Sequence, residues 1–161
     1  MTLNFNNAKP EDAQLVTDIL NQAAEFKRQH GDNGWGVFKS ESISKMLATG
    51  ETYIVSQGKQ PVATLSLESK DSAWDEFDPS ALYVHRLAVI HSAHGQDLGK
   101  KMIIWAEGQA KRNDIKYLRL DCSTDNPALC NYYEQQGFTK VAQKYFEDFN
   151  YTANLYQKPI L

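Results

Sequence analysis

The sequence predicts one α/β domain, with a central mixed sheet and helices on both faces. Three observations carry that reading. Leu82 to Phe138 runs strand, glycine turn, helix, strand, which is the pattern of a parallel βαβ unit. The whole chain follows the order β-α-α-β-β-β-α-β-α-β-β, without a repeat, linker or low-complexity tract. Its 161 residues, 42% hydrophobic and 23% charged, suit a single domain with a real core.

Each element has its own signal. Met1 to Asn7 alternates weakly, with Leu3 and Phe5 on one side, and predicts a short edge strand. Pro10 opens a helical pattern through Leu15, Val16, Ile19, Leu20, Ala23 and Phe26, which ends at His30-Gly31. Asp32 to Gly36 breaks it, and a second helix follows from Ser40 to Ala48. Glu51 to Ser56 and Pro61 to Leu67 read as strands joined by the hairpin Gln57-Gly58-Lys59-Gln60. Ser69 to Ala81 is a polar loop. In the central strand, Leu82 to Val89, alternation puts Leu82, Val84, Arg86 and Ala88 on one face. Tyr83, His85, Leu87 and Val89 take the other.

A third helix is predicted from Gly95 to Arg112, since Leu98, Met102, Ile103, Ala106 and Ala110 recur at helical spacing. Tyr117 to Cys122 is the next strand. Asn126 and Pro127 open a short helix that Gly137 ends. Phe138 to Tyr145 and Phe149 to Gln157 form a final antiparallel pair. Tyr145, Phe146, Phe149, Tyr151 and Tyr156 predict a well-packed C-terminal sheet.

Composition excludes several classes. Net charge is −3, which offers no electrostatic reason to expect nucleic acid. Two cysteines, Cys122 and Cys130, make neither a disulfide framework nor a metal motif, and no metal is expected. No apolar run approaches the roughly 18 residues of a membrane span, and no signal-peptide pattern opens the chain. A cytoplasmic location is the default expectation, with no membrane partner. A homodimer is compatible with these features.

The turn from Gly95 to Gly99 carries the first chemical argument. Free N–H groups at a helix start bind phosphate, and glycine lets a ligand approach the backbone. An ordinary helix start with one glycine packed tightly explains the same residues. GQDLGK is neither a Walker loop nor the dinucleotide glycine pattern.

These residues resemble the GCN5-related N-acetyltransferases, which move acetyl from acetyl-CoA to an amine. The family loop is matched by His94-Gly95-Gln96-Asp97-Leu98-Gly99, preceded by the core-strand residues Leu87-Ala88-Val89. Asn126 to Tyr133, then Gly137-Phe138, match its second pattern. The resemblance covers Leu82 to Phe138. Two departures stand out: His94 replaces arginine or glutamine, and Asp97 replaces glycine. A carboxylate facing pyrophosphate costs Coulomb energy, whereas at a helix N-terminus it gains about 0.3–1 kcal/mol.

The resemblance implies an acyl-CoA N-acyltransferase fold with a splayed central sheet. The open strand edge at Leu87, Ala88 and Val89 would pair with the pantetheine arm. His94, Gly95, Gln96, Asp97, Leu98, Gly99 and Lys100 would hold the phosphates, and Asn126 would lie near CoA. Acetyl-CoA is then the co-substrate, attacked directly in a ternary complex. Tyr133 matches the family's proton donor to the departing thiolate; a phenol with a pKa near 10 suits that task. A buried core tyrosine is the bland alternative.

The base is less defined by pattern. His85 has the right chemistry near neutrality, or serves as a wall residue. A carboxylate from Ser69 to Ala81 acting through water is a second option. Trp35, Phe38, Trp74 and Phe77 are candidate walls of the acceptor site, or plain packing. Asp71, Asp75, Glu76 and Asp78 either attract a cation or form a solvated loop. The expected acceptor is a primary amine, on a small metabolite or at a peptide N-terminus. A non-catalytic acyl-CoA sensor on the same fold is the competing class.

Overall fold

The computed structural model describes residues 2–161. Seven strands form one sheet: β1 (Leu3–Asn7), β2 (Thr52–Gln57), β3 (Gln60–Glu68), β4 (Ala81–Val89), β5 (Tyr117–Ser123), β6 (Thr139–Phe146) and β7 (Tyr151–Pro159). Their order across the sheet is β1-β2-β3-β4-β5-β7-β6. Only β4 and β5 run parallel, as the βαβ pattern predicts; every other pair is antiparallel. The last strand, β7, inserts between β5 and β6, so a late hairpin completes one end of the sheet with β6 at its edge.

Four helices cover the two faces. These are α1 (Ala13–Gln29), α2 (Ser40–Leu47), α3 (Leu98–Arg112) and α4 (Pro127–Glu134). On one face Leu98, Met102, Ile103 and Ala106 of α3 pack with Cys130 and Tyr133 of α4 against Val55, Leu65, Val84, Leu118 and Leu120. On the other, Val16, Ile19 and Leu20 of α1 and Ile43 and Leu47 of α2 close over Ala88. Each fully buried leucine contributes about 1.5–3 kcal/mol of hydrophobic stabilisation. Among the described residues, no helix is long and apolar enough to cross a membrane.

Two helix starts differ from the periodicity. Pro10–Asp12 forms a separate 3₁₀ turn, because the Asp12 carboxylate accepts the Lys9 N–H at 2.8 Å and holds it. Helix α3 begins at Leu98 rather than Gly95, since Gly95 (φ +87°) and Asp97 (φ +57°) are both left-handed. A right-handed helix cannot include such residues.

Strand β4 also departs from simple alternation. Thr64 pairs with Ala88 but Ser66 pairs with His85, so β4 carries one extra residue. The bulge sits at Arg86, whose φ is +50°. Leu87 and Val89 therefore join Leu82 and Val84 on the α3–α4 face, while Ala88 turns to α1 and α2. A bulge shifts the period-two pattern by one, which the sequence does not mark.

A third, smaller core surrounds Arg119, which is 1% exposed. Its guanidinium lies 4.9 Å from the Trp74 ring and 5.1 Å from Tyr117, with Phe77 and Tyr83 beyond. It donates to the Gln157 side chain at 2.8 Å, the Asp78 carbonyl at 2.7 Å and the Tyr83 hydroxyl at 3.0 Å. Replacing Arg119 by alanine strands those acceptors. Stability should fall by roughly 3 kcal/mol, read as a lower denaturant midpoint at unchanged slope.

Candidate active site

Strands β4 and β5 are bonded only over Ala81–Tyr83 and Tyr117–Arg119. Beyond that they part. Strand β4 stays with β3 as far as Val89, and β5 stays with β7 as far as Ser123. The facing backbone edges are left without strand partners, and each buried edge group needs one. A cavity of about 1370 Å³ occupies the gap, lined by Val84 to Val89 on one side and Leu120 to Ser123 on the other. The α1–α2 loop, the β6–β7 turn and the glycine turn before α3 complete its walls.

The glycine turn borders this gap. Gly95 takes a left-handed φ that any side chain would strain. Gly99 is glycine for a different reason: a Cβ there would lie 2.9 Å from the Tyr132 hydroxyl. That hydroxyl donates to the Asp97 carboxylate at 3.0 Å. Burial, then the Asp97 carboxylate, push the Tyr132 phenol up to about 12. Asp97 is thus tied to α4 by its side chain. His94 turns its ring back, its Nε2 lying 3.2 Å from the Val89 carbonyl, and packs edge-on against Phe26. His94, Gly95, Asp97, Leu98 and Gly99 line the cavity. Gln96 and Lys100 do not: both are exposed, and Gln96 accepts from Gln57 at 2.6 Å.

Asn126 caps α4, its side-chain oxygen accepting from Leu129 N–H at 3.2 Å. Its amide donates across the cleft to Asp32 at 2.9 Å. Asp32 is 3% exposed, and it also accepts from Gly34 N–H and pairs with Lys27. Gly34 lies so close to Tyr151 that a Cβ would fall 2.5 Å from the ring. The α1–α2 loop is therefore strapped over the cavity, against both α4 and β7.

Tyr133 and His85 enter the same cavity from opposite faces of the sheet. Tyr133 is 6% exposed in the α3–α4 core, and burial keeps its phenol protonated far above the ordinary range. His85 Nε2 stands 2.9 Å from the Asp71 carboxylate. Burial opposes the imidazolium, but Asp71, Glu68 and Asp121 outweigh it, so the His85 pKa is raised. Asp71 feels burial too, yet its contacts with His85 and Ala73 N–H hold its carboxyl below the usual range. Asp121 completes a trio whose ligand-type atoms all lie within 4.8 Å of one another. Burial, then Asp71, raise the Asp121 carboxyl.

The aromatic candidates divide. Trp35 and Phe38 line the cavity, with rings 5.7 Å apart, and also pack on the α1–α2 core. Trp74 and Phe77 do not reach it, because Arg119 draws both into its own core. Asp75, Glu76 and Asp78 are exposed and outside the cavity; only Asp71 of that loop comes near it, through His85. Tyr145 and Phe149 are exposed rather than packed, and Phe146, Phe149 and Tyr151 line the cavity instead. Sequence reasoning passed over Asp121. Its signal was a charged residue two positions after Arg119 within an otherwise apolar strand.

Comparisons with known proteins agree with this geometry. The sequence model of the Acetyltransferase (GNAT) family matches residues 16–138. The uncharacterized N-acetyltransferase YesJ of Bacillus subtilis (strain 168) is 30% identical over 138 residues, covering 80% of this chain and 77% of the relative. A GNAT-family acetyltransferase structure from Listeria monocytogenes 4b F2365 superposes with TM-score 0.78 at 24% identity, over 98% of this chain and 94% of that one. The putative acetyltransferase yncA of Salmonella typhimurium, solved with its cofactor acetyl-CoA, gives TM-score 0.72 at 15% identity, over 100% and 95%. With a family match that runs from α1 to the end of α4, and the parted strands and glycine turn it implies, the chain belongs to the GNAT family of acetyltransferases.

Proposed function

We propose that this protein transfers the acetyl group of acetyl-CoA to a primary amine by direct attack in a ternary complex. The amine is carried by a small metabolite or a peptide N-terminus. The observation behind this reading is the gap between β4 and β5, which Tyr133 and His85 enter from opposite faces. The edge at Leu87, Ala88 and Val89, without a strand partner on the β5 side, suits an extended amide-bearing arm, and the turn at Gly95 to Gly99 suits phosphates. Acetyl-CoA supplies an activated thioester; the protein supplies position and proton management.

His85 takes the proton that the attacking ammonium must lose, and Asp71 fixes its ring. Tyr133 donates a hydrogen bond to the sulfur. Its raised pKa means the proton follows only as negative charge builds there. The strap from Asp32 to Asn126 roofs the cavity, which favours a small amine over a broad protein surface. One observation favours the non-catalytic reading: the Asp97 carboxylate sits within the phosphate turn, although Tyr132 holds it.

Gly95→Ala should weaken acetyl-CoA binding by roughly tenfold, from left-handed strain of about 1–2 kcal/mol. Gly99→Ala should weaken it too, and Tyr132→Phe in the same chain should restore much of the loss; calorimetric titration reads both. Tyr133→Phe should lower kcat by about 10²-fold or more while acetyl-CoA affinity holds, as thiol release in single turnover would show. The kcat/KM of the wild type should rise with pH along a limb set by His85, above the ordinary imidazole range. Asp71→Asn removes the charge that favours the imidazolium, so that limb should move to lower pH. An unmoved limb would assign it to another group.

A further inference from the structure

The acceptor end of the cavity is more specific than a general amine site. Four carboxylates line the cavity: Asp32, Asp97, Asp121 and Asp125. Asp32 is neutralised by Lys27, Gly34 N–H and Asn126. Asp97 takes the Tyr132 hydroxyl at the phosphate turn. Asp125 stands exposed at the start of α4, where water screens it. Asp121 differs from all three. It is half-buried beside His85, and among the described residues it accepts no side-chain or backbone hydrogen bond. Its neighbours within the chain are the His85–Asp71 pair, and its oxygens stay open to a donor or cation entering from the cavity.

Beyond His85, Asp71 and the charges of Arg86 and Lys27, the cavity wall near Asp121 is aromatic. Tyr151 is close enough that the Asp121 charge helps, after burial, to raise its phenol. The Tyr151 ring lies 5.7 Å from that of Phe146, and Phe149 continues the wall to the mouth with 76% of its surface exposed. Trp35 faces them from the α1–α2 loop. The one lysine on the wall, Lys27, lies 4.8 Å from the Trp35 ring centroid. A second ammonium beside Trp35 would meet that charge, and the carboxylate left to it is the exposed Asp125, where water screens the pair.

Resting on the transferase reading above, we propose that the acceptor is a primary monoamine with an aromatic or apolar body. Asp121 anchors its ammonium, and Trp35, Phe146, Phe149 and Tyr151 clasp the body. The ion pair places the nitrogen next to His85, which removes its proton. Apolar area and cation–π contact discriminate such an amine from a polyamine, whose second charge gains only the water-screened Asp125.

The test starts with the intact protein and amine alone. Phenylethylamine and spermidine are titrated calorimetrically, then compared as acceptors by thiol release with acetyl-CoA, whose own binding is measured separately. Phenylethylamine should bind and turn over at least about tenfold more efficiently than spermidine. Phe149→Ala, at an exposed position outside every core cluster, should raise its KM by about tenfold, and Asp121→Asn should abolish its binding. Neither should change acetyl-CoA affinity. The paired change Asp75→Asn and Glu76→Gln, outside the cavity, should leave every constant unchanged. A preference for spermidine, or an unchanged amine KM in Phe149→Ala and Asp121→Asn, would overturn the proposal while amine-dependent thiol release from acetyl-CoA still supported the transferase. Loss of acetyl-CoA binding in the wild type would overturn both.

Discussion

The separation of β4 from β5 after three residue pairs is the constraint on which the rest of this molecule depends. Each strand keeps its other neighbour throughout, so the sheet stays continuous at its edges while opening in the middle. An opening inside a sheet is costly. It leaves backbone donors and acceptors facing each other without bonds, each worth about 1–3 kcal/mol if it stays buried and unpaired. The remaining structure bounds that opening with two helix faces, a glycine turn and a strapped loop, so that the gap is a site rather than a defect.

The bulge at Arg86 belongs to the same device. A left-handed arginine costs about 1–2 kcal/mol, and the Arg86–Glu68 ion pair at 2.5 Å holds it in place. The extra residue sends Leu87 and Val89 to the α3–α4 core and leaves His85 on the opposite face, beside Asp71 and Asp121. Without the bulge, His85 would share a face with Leu87 and Val89. Two titratable groups are thereby divided across the sheet, with a buried phenol on one side and a carboxylate-flanked imidazole on the other.

Charge is managed locally. Three carboxylates in or beside the cleft have separate partners, Asp71 with His85, Asp32 with Lys27 and Asn126, and Asp97 with Tyr132, while Asp121 keeps its oxygens open to the cavity. Arg119, buried outside the cavity, is held by rings and neutral oxygens, whereas the cations that line the cavity, Lys27 and Arg86, pair with Asp32 and Glu68. That arrangement decides the fate of two tryptophans. Trp74 packs on the guanidinium, while Trp35, on the strapped loop, is free to face the cavity.

The sequence alone determined the order of elements, the parallel pairing of β4 with β5 and the glycine turn. These are written in local patterns: helical spacing in α3, Asn126-Pro127 at a helix start, apolar runs between turn residues. Family resemblance supplied the splay and the acetyl-CoA reading, because backbone edges place no demand on side chains. Only the tertiary structure decided which polar residues meet. Asp71 and Asp121 are 50 positions apart, and they converge on His85 only after β5 docks beside β4. Burial of Trp74, exposure of Phe149 and the outward turn of Lys100 are likewise long-range outcomes. A side chain's composition states what it can bind, but its neighbours across the fold decide what remains for it to bind.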